Sequence, residues 1–484
     1  MALSEDELVI AGRLEAQRAF DLQRFEVLDA YYQGAQRLEQ LGLAVPPELR
    51  RFLVIVNWPG IAVDSLEERI DLEGFRLPGQ DDADDELWDI WQANDLDEES
   101  QLAHLDALVF SRSFVCVGSP DPDNMSPLSS GDVPLVTVES PKEMAVELNP
   151  RTREVSAAWR SWTGRSPWEP QLADPTQRWA ALYLPDTTIW LKHDADQADW
   201  VEQDRDEHGL GVVPVSPLVN RGRLSRRSGM SEMDAIIPLT DAAARALTNA
   251  QLAQETLAVP QRYVLGASNG DFVDAQDNPL PAWEAYFGAI WALQNSEAKV
   301  GQFSAASLSN FTEIVNHYAT LVSGLTGLPM RFFGSATANP PSADAIRADE
   351  ARLIKRAERR QRSFGGAWER TMRIVRRLVD GDWDPRLANL ETLWRDPATP
   401  TKAQAADAAV KLVQAGILPV EAAWEDLGYS ATRRAKLKAL REAQLADPLT
   451  EGLMNAAAGA ARPAVPAEPA VDDVVPLEEP TPAA

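Results

Sequence analysis

The sequence predicts an α+β fold in which helices dominate and the first half contains a mainly antiparallel β region. Three patterns predict it. Apolar residues recur at helical spacing over residues 4–41, runs of period two occupy the stretch from about Ser113 to Arg221, and helical periodicity returns after Ser231. At 484 residues, with 45% apolar and 25% charged side chains, the chain is expected to be folded over most of its length. The length is enough for roughly three domains, although large single architectures also reach this size.

The first elements are helices. Ser4 and Glu7 have the spacing of a capping box at the start of the helix over 4–41. A second helical stretch over 48–72 is interrupted near Trp58-Pro59-Gly60, and Trp88 with Trp91 begins a third. The apolar face of the first helix is expected to comprise Leu14, Phe20, Phe25, Leu28 and Tyr32.

Short β-rich runs follow, bounded by Pro, Gly, Asp and Asn. Asn149 to Thr152 predicts a turn between two strands, and Pro185-Asp186 predicts the turn of a later hairpin. The predicted strands include Phe114 to Val117, Leu135 to Val138, Val155 to Trp159, Trp179 to Leu184 and Thr187 to His193.

The second half is mainly helical. Ser231 and Asp234 predict the start of a helix that reaches about Ala258 and is kinked at Pro238. A basic helix from Ser342 to about Val379 is expected to be kinked at Gly365-Gly366. The remaining elements are a strand at 262–265, a helix at about 307–325, a strand at 388–395, short helices at 401–415, 419–427 and 430–446, and a disordered acidic tail at 447–484.

The charge is strongly negative and unevenly spread. The 46 basic and 74 acidic residues give a net charge of −28, and residues 1–110 alone carry 8 basic and 25 acidic side chains. Residues 342–380 instead carry 11 basic and 6 acidic side chains. Because phosphate binding relies on basic residues, this total disfavours a protein that grips DNA tightly, but it does not exclude one past which DNA must slide.

No catalytic, cofactor or metal site is predicted. Cys116 is the single cysteine and lies in an apolar strand, and the four histidines His104, His193, His208 and His317 are far apart. Walker, zinc-protease and nucleophile-elbow motifs are absent from the sequence. No apolar run approaches the ~20 residues of a membrane span, and the amino terminus lacks a signal peptide pattern, so we expect a soluble protein made in a reducing compartment.

The order of these elements resembles the portal (connector) proteins of tailed bacteriophages, in particular those of siphoviruses that infect actinobacteria. The resemblance covers about residues 20–445 and depends on the order of several segments. These are Tyr31-Tyr32-x-Gly34, Gly211 to Arg221, Ser231 to Ile237, Lys299 to Phe311, Leu328-Pro329, Phe333-Gly334 and Asn339 to Ile346.

The resemblance implies a portal fold with a mainly helical stem and crown, a mixed α/β wing and a small α/β clip, assembled as a ring of typically twelve subunits. The ring would sit at one capsid vertex and pass double-stranded DNA. Its partners would be the terminase large subunit, the head–tail adaptor, the major capsid protein and a scaffold protein. The implied divisions are the wing at 1–225, stem helices at 226–259 and 306–327, the clip at 260–305, the tunnel loop at 328–341, the spine helix with a returning wing strand at 342–398, the crown at 399–446 and the tail at 447–484.

Residues are assigned to these parts as expectations. The DNA-channel loop would present Arg331, Phe332, Phe333, Gly334 and Asn339, and Phe332-Phe333 either anchors the loop to the following helix or contacts DNA. Stem packing would use Ala243, Ala246, Ala250 and Ala253, and the clip would include Trp283, Phe287, Trp291 and Lys299.

Some alternatives stay open on the sequence. The basic helix at 342–380 either faces DNA or forms salt bridges with the acidic wing. The alternative functions are another virion component, such as an adaptor or minor head protein, and a metal-dependent nuclease.

Overall fold

The computed structural model shows an α+β fold, as the sequence predicts. The chain divides into two compact units, Met1–Pro400 and Thr401–Ala484. The structure describes residues 3–36, 54–80, 83–119, 133–164, 176–194, 199–257, 262–265, 299–302, 308–334, 342–398, 402–429 and 431–445. The tail at 447–484 lies outside these residues.

The first helix, α1, spans Glu5–Tyr32 and begins with the predicted capping box between Ser4 and Glu7. One expectation for it is wrong, because Phe20 is 82% exposed. At 100° per residue, Phe20 falls on the side opposite Leu14 and Phe25, which are both buried.

The expected interruption of a helix at Trp58-Pro59-Gly60 is wrong, because helix α2, Trp58–Glu67, begins there. The side chain of Asn57 accepts a hydrogen bond from the Gly60 amide at 3.2 Å, so these residues begin a helix. Proline is tolerated there because the N–H groups of the first turn have no acceptor within the helix, so the missing N–H of proline costs no hydrogen bond. Strand β1, Leu72–Arg76, follows instead of more helix.

Two helices, α3 (Asp85–Ala93) and α4 (Leu96–Phe110), complete the amino-terminal part. Trp91 of α3 packs edge-on against Trp368, with ring centroids 4.9 Å apart. The Trp368 indole donates a hydrogen bond to His104 Nε2 at 2.9 Å. Burial lowers the pKa of His104 to about 3, so this histidine is a neutral core residue.

The β region forms two antiparallel sheets. Its strands are β2 (Arg112–Gly118), β3 (Leu135–Glu139), β4 (Met144–Leu148), β5 (Val155–Thr163), β6 (Arg178–Tyr183), β7 (Thr188–Asp194), β8 (Asp199–Asp206) and β9 (Val215–Val219). One sheet has the order β3-β2-β9, and the other has the order β4-β5-β6-β7-β8. The predicted turns at 149–152 and 185–186 join β4 to β5 and β6 to β7.

Helix α5, Ile237–Leu257, begins six residues later than the Ser231 start that the sequence predicts. Pro238 therefore lies in its first turn and not at a kink, and the Ser231 hydroxyl accepts a hydrogen bond from Met233 N at 3.1 Å in the preceding turn. Helix α5 packs against α6, Ser309–Thr326. Between these helices, β10 (Arg262–Leu265) pairs with β11 (Lys299–Gln302).

The longest element is α7, which runs unbroken through 38 residues, Ala343–Asp380, or about 57 Å. Gly365 lets α7 pack closely against Thr392, because a Cβ at this position would lie 2.5 Å from Thr392 Oγ1. Thr392 belongs to β12, Glu391–Trp394, which returns to pair antiparallel with β1. In the second unit, the predicted short helices appear as α8 (Lys402–Gln414), α9 (Val420–Asp426) and α10 (Ala431–Leu445).

Candidate functional site: the loop between α6 and α7

The loop leaves α6 through a closely packed turn. Gly327 has φ +73°, and a Cβ on it would lie 2.8 Å from the Arg352 side chain, so glycine is needed on both counts. Arg352 of α7 donates a hydrogen bond to the Gly324 carbonyl at 2.6 Å, and the Ser323 hydroxyl donates to the Leu328 carbonyl at 2.6 Å. The end of α6 is thus fixed against the start of α7.

A short 3₁₀ helix, Met330–Phe333, follows and ends at Gly334, which has φ +81°. The Phe333 ring packs edge-on against Trp58 of α2, with centroids 5.9 Å apart. The sequence left two roles open for Phe332-Phe333, an anchor of the loop or a contact with DNA. In the structure Phe333 anchors the loop, but to α2 and not to the following helix. Asn339 lies outside the described residues.

The charged residue of this loop is held by α7. Arg331 forms an ion pair with Glu350, and its guanidinium lies 5.5 Å from the centroid of the Phe332 ring. Glu350 also accepts a hydrogen bond from Arg69 at 3.2 Å, and Arg69 donates to the Pro397 carbonyl at 2.7 Å. A DNA phosphate would therefore have to compete with Glu350 for Arg331.

A second charge cluster ties the segment before α5 to the middle of α7. The Glu232 side chain is fully buried and pairs with both Arg356 and Arg360, while Arg221 lies 3.7 Å away. Burial would raise the pKa of the Glu232 carboxyl, but the two α7 guanidinium groups outweigh it and hold the pKa below its ordinary value. The backbone amide of Glu232 donates to the Leu108 carbonyl at 3.0 Å.

These contacts bear on the charge of the basic helix. Arg376 of α7 forms an ion pair with Glu86 at 2.7 Å. At least one cation of the basic helix is therefore bound to the acidic amino-terminal part. Arg356 and Arg360 are occupied by Glu232. Within the described part of the chain, Arg359 and Arg362 are exposed and have no ion pair, so they remain free to meet an anion.

The four alanines assigned to stem packing are not equivalent. Ala243 is fully buried in the main core of its own chain. Ala246, Ala250 and Ala253 are only half-buried, so their methyl groups still have surface to lose to a neighbour. For the assigned clip residues, Lys299 begins β11 opposite Leu265, whereas Trp283, Phe287 and Trp291 lie outside the described residues.

Sequence reasoning assigned no role to Glu232, Glu350 or Trp58. The α7 partners of Glu232 and the ring partner of Trp58 are more than a hundred residues away in the chain, and no local spacing marks such pairs. The one available signal was that Glu232 is the first acidic residue after Glu207 and follows four arginines.

The described residues offer little for chemistry. Cys116 is buried, and burial raises the pKa of its thiol far above the ordinary value. Within the ranges that the structure describes, no group of three or more His, Cys, Asp or Glu side chains is placed to hold a metal ion. None of the helices in those ranges is long and apolar enough to cross a membrane.

Comparison with known proteins identifies the family. Residues 12–445 match the family model described as phage portal protein, SPP1 Gp6-like. The chain belongs to this family of phage portal proteins, which are head–tail connectors of the virion and form the portal channel.

Two curated relatives carry the name portal protein. The one from Mycobacterium phage L5 is 42% identical over 448 residues, which are 91% of this chain and 89% of that protein. The one from Mycobacterium phage D29 is 40% identical over 476 residues, which are 97% and 93% of the two chains.

Solved structures give a more distant likeness. A chain of the virion of a native gene transfer agent particle has a TM-score of 0.45 and 14% identity, covering 80% of this chain and 94% of its own. A chain of the neck of a native particle, computed with C12 symmetry, has a TM-score of 0.43 and 13% identity, covering 79% and 92%.

Proposed function

We propose that this portal protein forms a closed ring of twelve subunits at one capsid vertex and passes double-stranded DNA without sequence specificity. The observation that carries the proposal is the family match over residues 12–445. The net charge of −28 supports it, since an acidic conduit releases the DNA that it guides.

The parts of the ring follow the chain order. In this proposal, residues 1–225 with β12 form the wing, α5 and α6 form the stem, and 342–380 form the spine. Residues 260–305 form the clip, which meets the terminase large subunit during packaging and the head–tail adaptor afterwards. Residues 399–446 form the crown, and the wing contacts the major capsid protein.

The loop at 328–341 is proposed to line the channel. Its first part is anchored by Phe333 on Trp58 and by Arg331 on Glu350. In this proposal, the two anchors hold the base of the loop in place while the duplex passes through the ring.

Native mass spectrometry of the purified chain tests the stoichiometry. The proposal expects one dominant species with the mass of twelve chains of 53.2 kDa each. Monomers or small open oligomers would instead support an adaptor or minor head protein. Cleavage of DNA by the purified protein with magnesium would support the nuclease alternative.

A further inference from the structure

A hairpin between the wing and α5 carries four arginines and no acidic residue. Residues 220–230, here called the basic hairpin, carry Arg221, Arg223, Arg226 and Arg227, and no acidic residue occurs between Glu207 and Glu232. Leu224 at its tip is 90% exposed. This segment contributed only its first residues to the family resemblance, and the proposed function names no binding partner for it.

The basic hairpin is held in one conformation. Arg223 and Arg226 exchange backbone hydrogen bonds of 3.0 Å in both directions, and Met230 N donates to the Asn220 carbonyl at 2.9 Å. Gly229 has φ +80°, and a Cβ there would lie 2.4 Å from the Asn220 and Ser111 carbonyl oxygens. The exposed leucine is therefore presented by a preordered base, which lowers the entropy cost of docking.

The described residues of the same chain neutralise the arginines of the basic hairpin only in part. Arg221 and Arg226 reach Glu232 and Asp234 only at 3.7 and 4.0 Å. Arg223 and Arg227 are exposed and have no ion pair among the residues that the structure describes.

A complementary surface lies on the same chain. Helices α3 and α4, here called the acidic helix pair, belong to a stretch without any basic residue between Arg76 and Arg112. On α4, Leu102 is 55% exposed and Glu98 lies one turn before it, on the same face. Asp89 and Glu98 are exposed and form no ion pair with any described residue.

Within one subunit, the basic hairpin and the acidic helix pair form no ion pair with each other among the described residues. Glu98 lies 13 residues before Ser111, where α4 meets the basic hairpin, which places it about 20 Å away along the helix. Two different patches that complement each other on one chain define a head-to-tail contact, which closes into a ring when the rotation between subunits is right.

We propose that the basic hairpin of one subunit docks on the acidic helix pair of a second copy, with Leu224 against Leu102 and Arg223 and Arg227 facing Asp89 and Glu98. The proposal rests on the ring of the proposed function and names a contact that holds it. A second copy fits better than DNA because the Leu224 side chain has no donor for a phosphate, whereas its burial against another leucine removes apolar surface from water.

Charge reversal tests the docking. Replacing the two exposed hairpin arginines, Arg223→Glu with Arg227→Glu, places like charges together and should lower the ring yield at least about tenfold. The matched control is Arg151→Glu with Arg153→Glu, an exposed pair in the turn between β4 and β5, which should leave the yield unchanged. Adding Asp89→Arg and Glu98→Arg to the hairpin variant should restore rings, which a folding defect would not allow.

A cysteine pair locates the contact directly. Cys116 is 4% exposed and unreactive, so Leu102→Cys with Leu224→Cys should give a ladder of cross-linked multimers, while each single variant gives none. If the wild type forms rings, the docking would be overturned by a double cysteine variant that gives no ladder together with a charge-reversal variant whose ring yield is unchanged. The portal function would stand in that case. Rings that persist in the hairpin variant but retain less DNA would also overturn it, in favour of a DNA contact. Failure of the wild type to form rings would refute the proposed function itself.

Discussion

Arg360 Nε donates a hydrogen bond to Glu232 Oε1 at 3.0 Å, across 128 residues of chain. Arg356 shares the same carboxylate, so one buried acid joins the segment before α5 to two successive turns of α7. In the proposed ring, this cluster would set the position of the stem against the spine.

Replacing Glu232 with Gln should strongly destabilise the subunit. The change leaves two guanidinium groups buried without a counter-charge, and breaking a buried pair in this way costs about 3–5 kcal/mol. Chemical denaturation gives the free energy of unfolding. As a control, Glu391→Gln removes the exposed partner of Arg76 and should cost about 0–1 kcal/mol.

The effect of Glu232→Gln should depend on pH in a defined direction. Because the folded-state pKa of Glu232 is lowered, its stabilisation is fully present above the ordinary glutamate pKa and is lost as pH falls through the folded value. The difference in unfolding free energy between wild type and variant should therefore narrow in acid. A difference that widens in acid would show that the carboxyl is protonated at neutral pH.

Bulky residues on the half-buried face of α5 should disrupt the ring. Ala246→Phe and Ala250→Phe would overpack a subunit contact at about 1–3 kcal/mol per site, repeated around the ring. Ring yield and thermal stability are the measurements, and Asn249→Phe, at an exposed position of the same helix, is the control. Intact rings with unchanged melting in both alanine variants would remove α5 from the stem.

Shortening the loop by residues 334–339 should spare ring assembly but reduce DNA packaging or retention. The anchors at Arg331 and Phe333 remain in this variant, so the fold around the loop should persist. Packaged genome length per particle is compared with ring yield, and a deletion of equal length at 470–475 serves as the control. Normal packaging would exclude the loop from the mechanism, and lost rings would make it a structural element.

Truncation after Asp447 should leave ring assembly and thermal stability intact. Residues 447–484 carry seven acidic residues and one basic residue, with too few large apolar side chains to offset the entropy of ordering. Size-exclusion chromatography and thermal melting of the truncated chain provide the measurement. Failure to assemble would show that the tail packs in the ring.

The local signals in the sequence predicted much of the fold. The capping box at Ser4 and Glu7, the turn at 149–152 and the helices of the second unit all appear as predicted, because each depends on neighbouring residues. The family resemblance is also confirmed, since it follows from the order of segments over most of the chain.

The errors have tertiary causes. A broad helical pattern grouped Phe20 with core residues that lie on the other side of α1. Pro238 and Pro59 were interpreted as interruptions, although a proline is equally suited to a first turn. The Glu232 cluster and the contact between Phe333 and Trp58 were missed because only the folded chain brings these residues together.

Electron microscopy of the purified full-length protein tests the central claim most directly. We expect closed rings with one central channel wide enough for a DNA duplex. Particles that are monomeric, open or without a through-channel, under conditions in which the chain is folded, would contradict it.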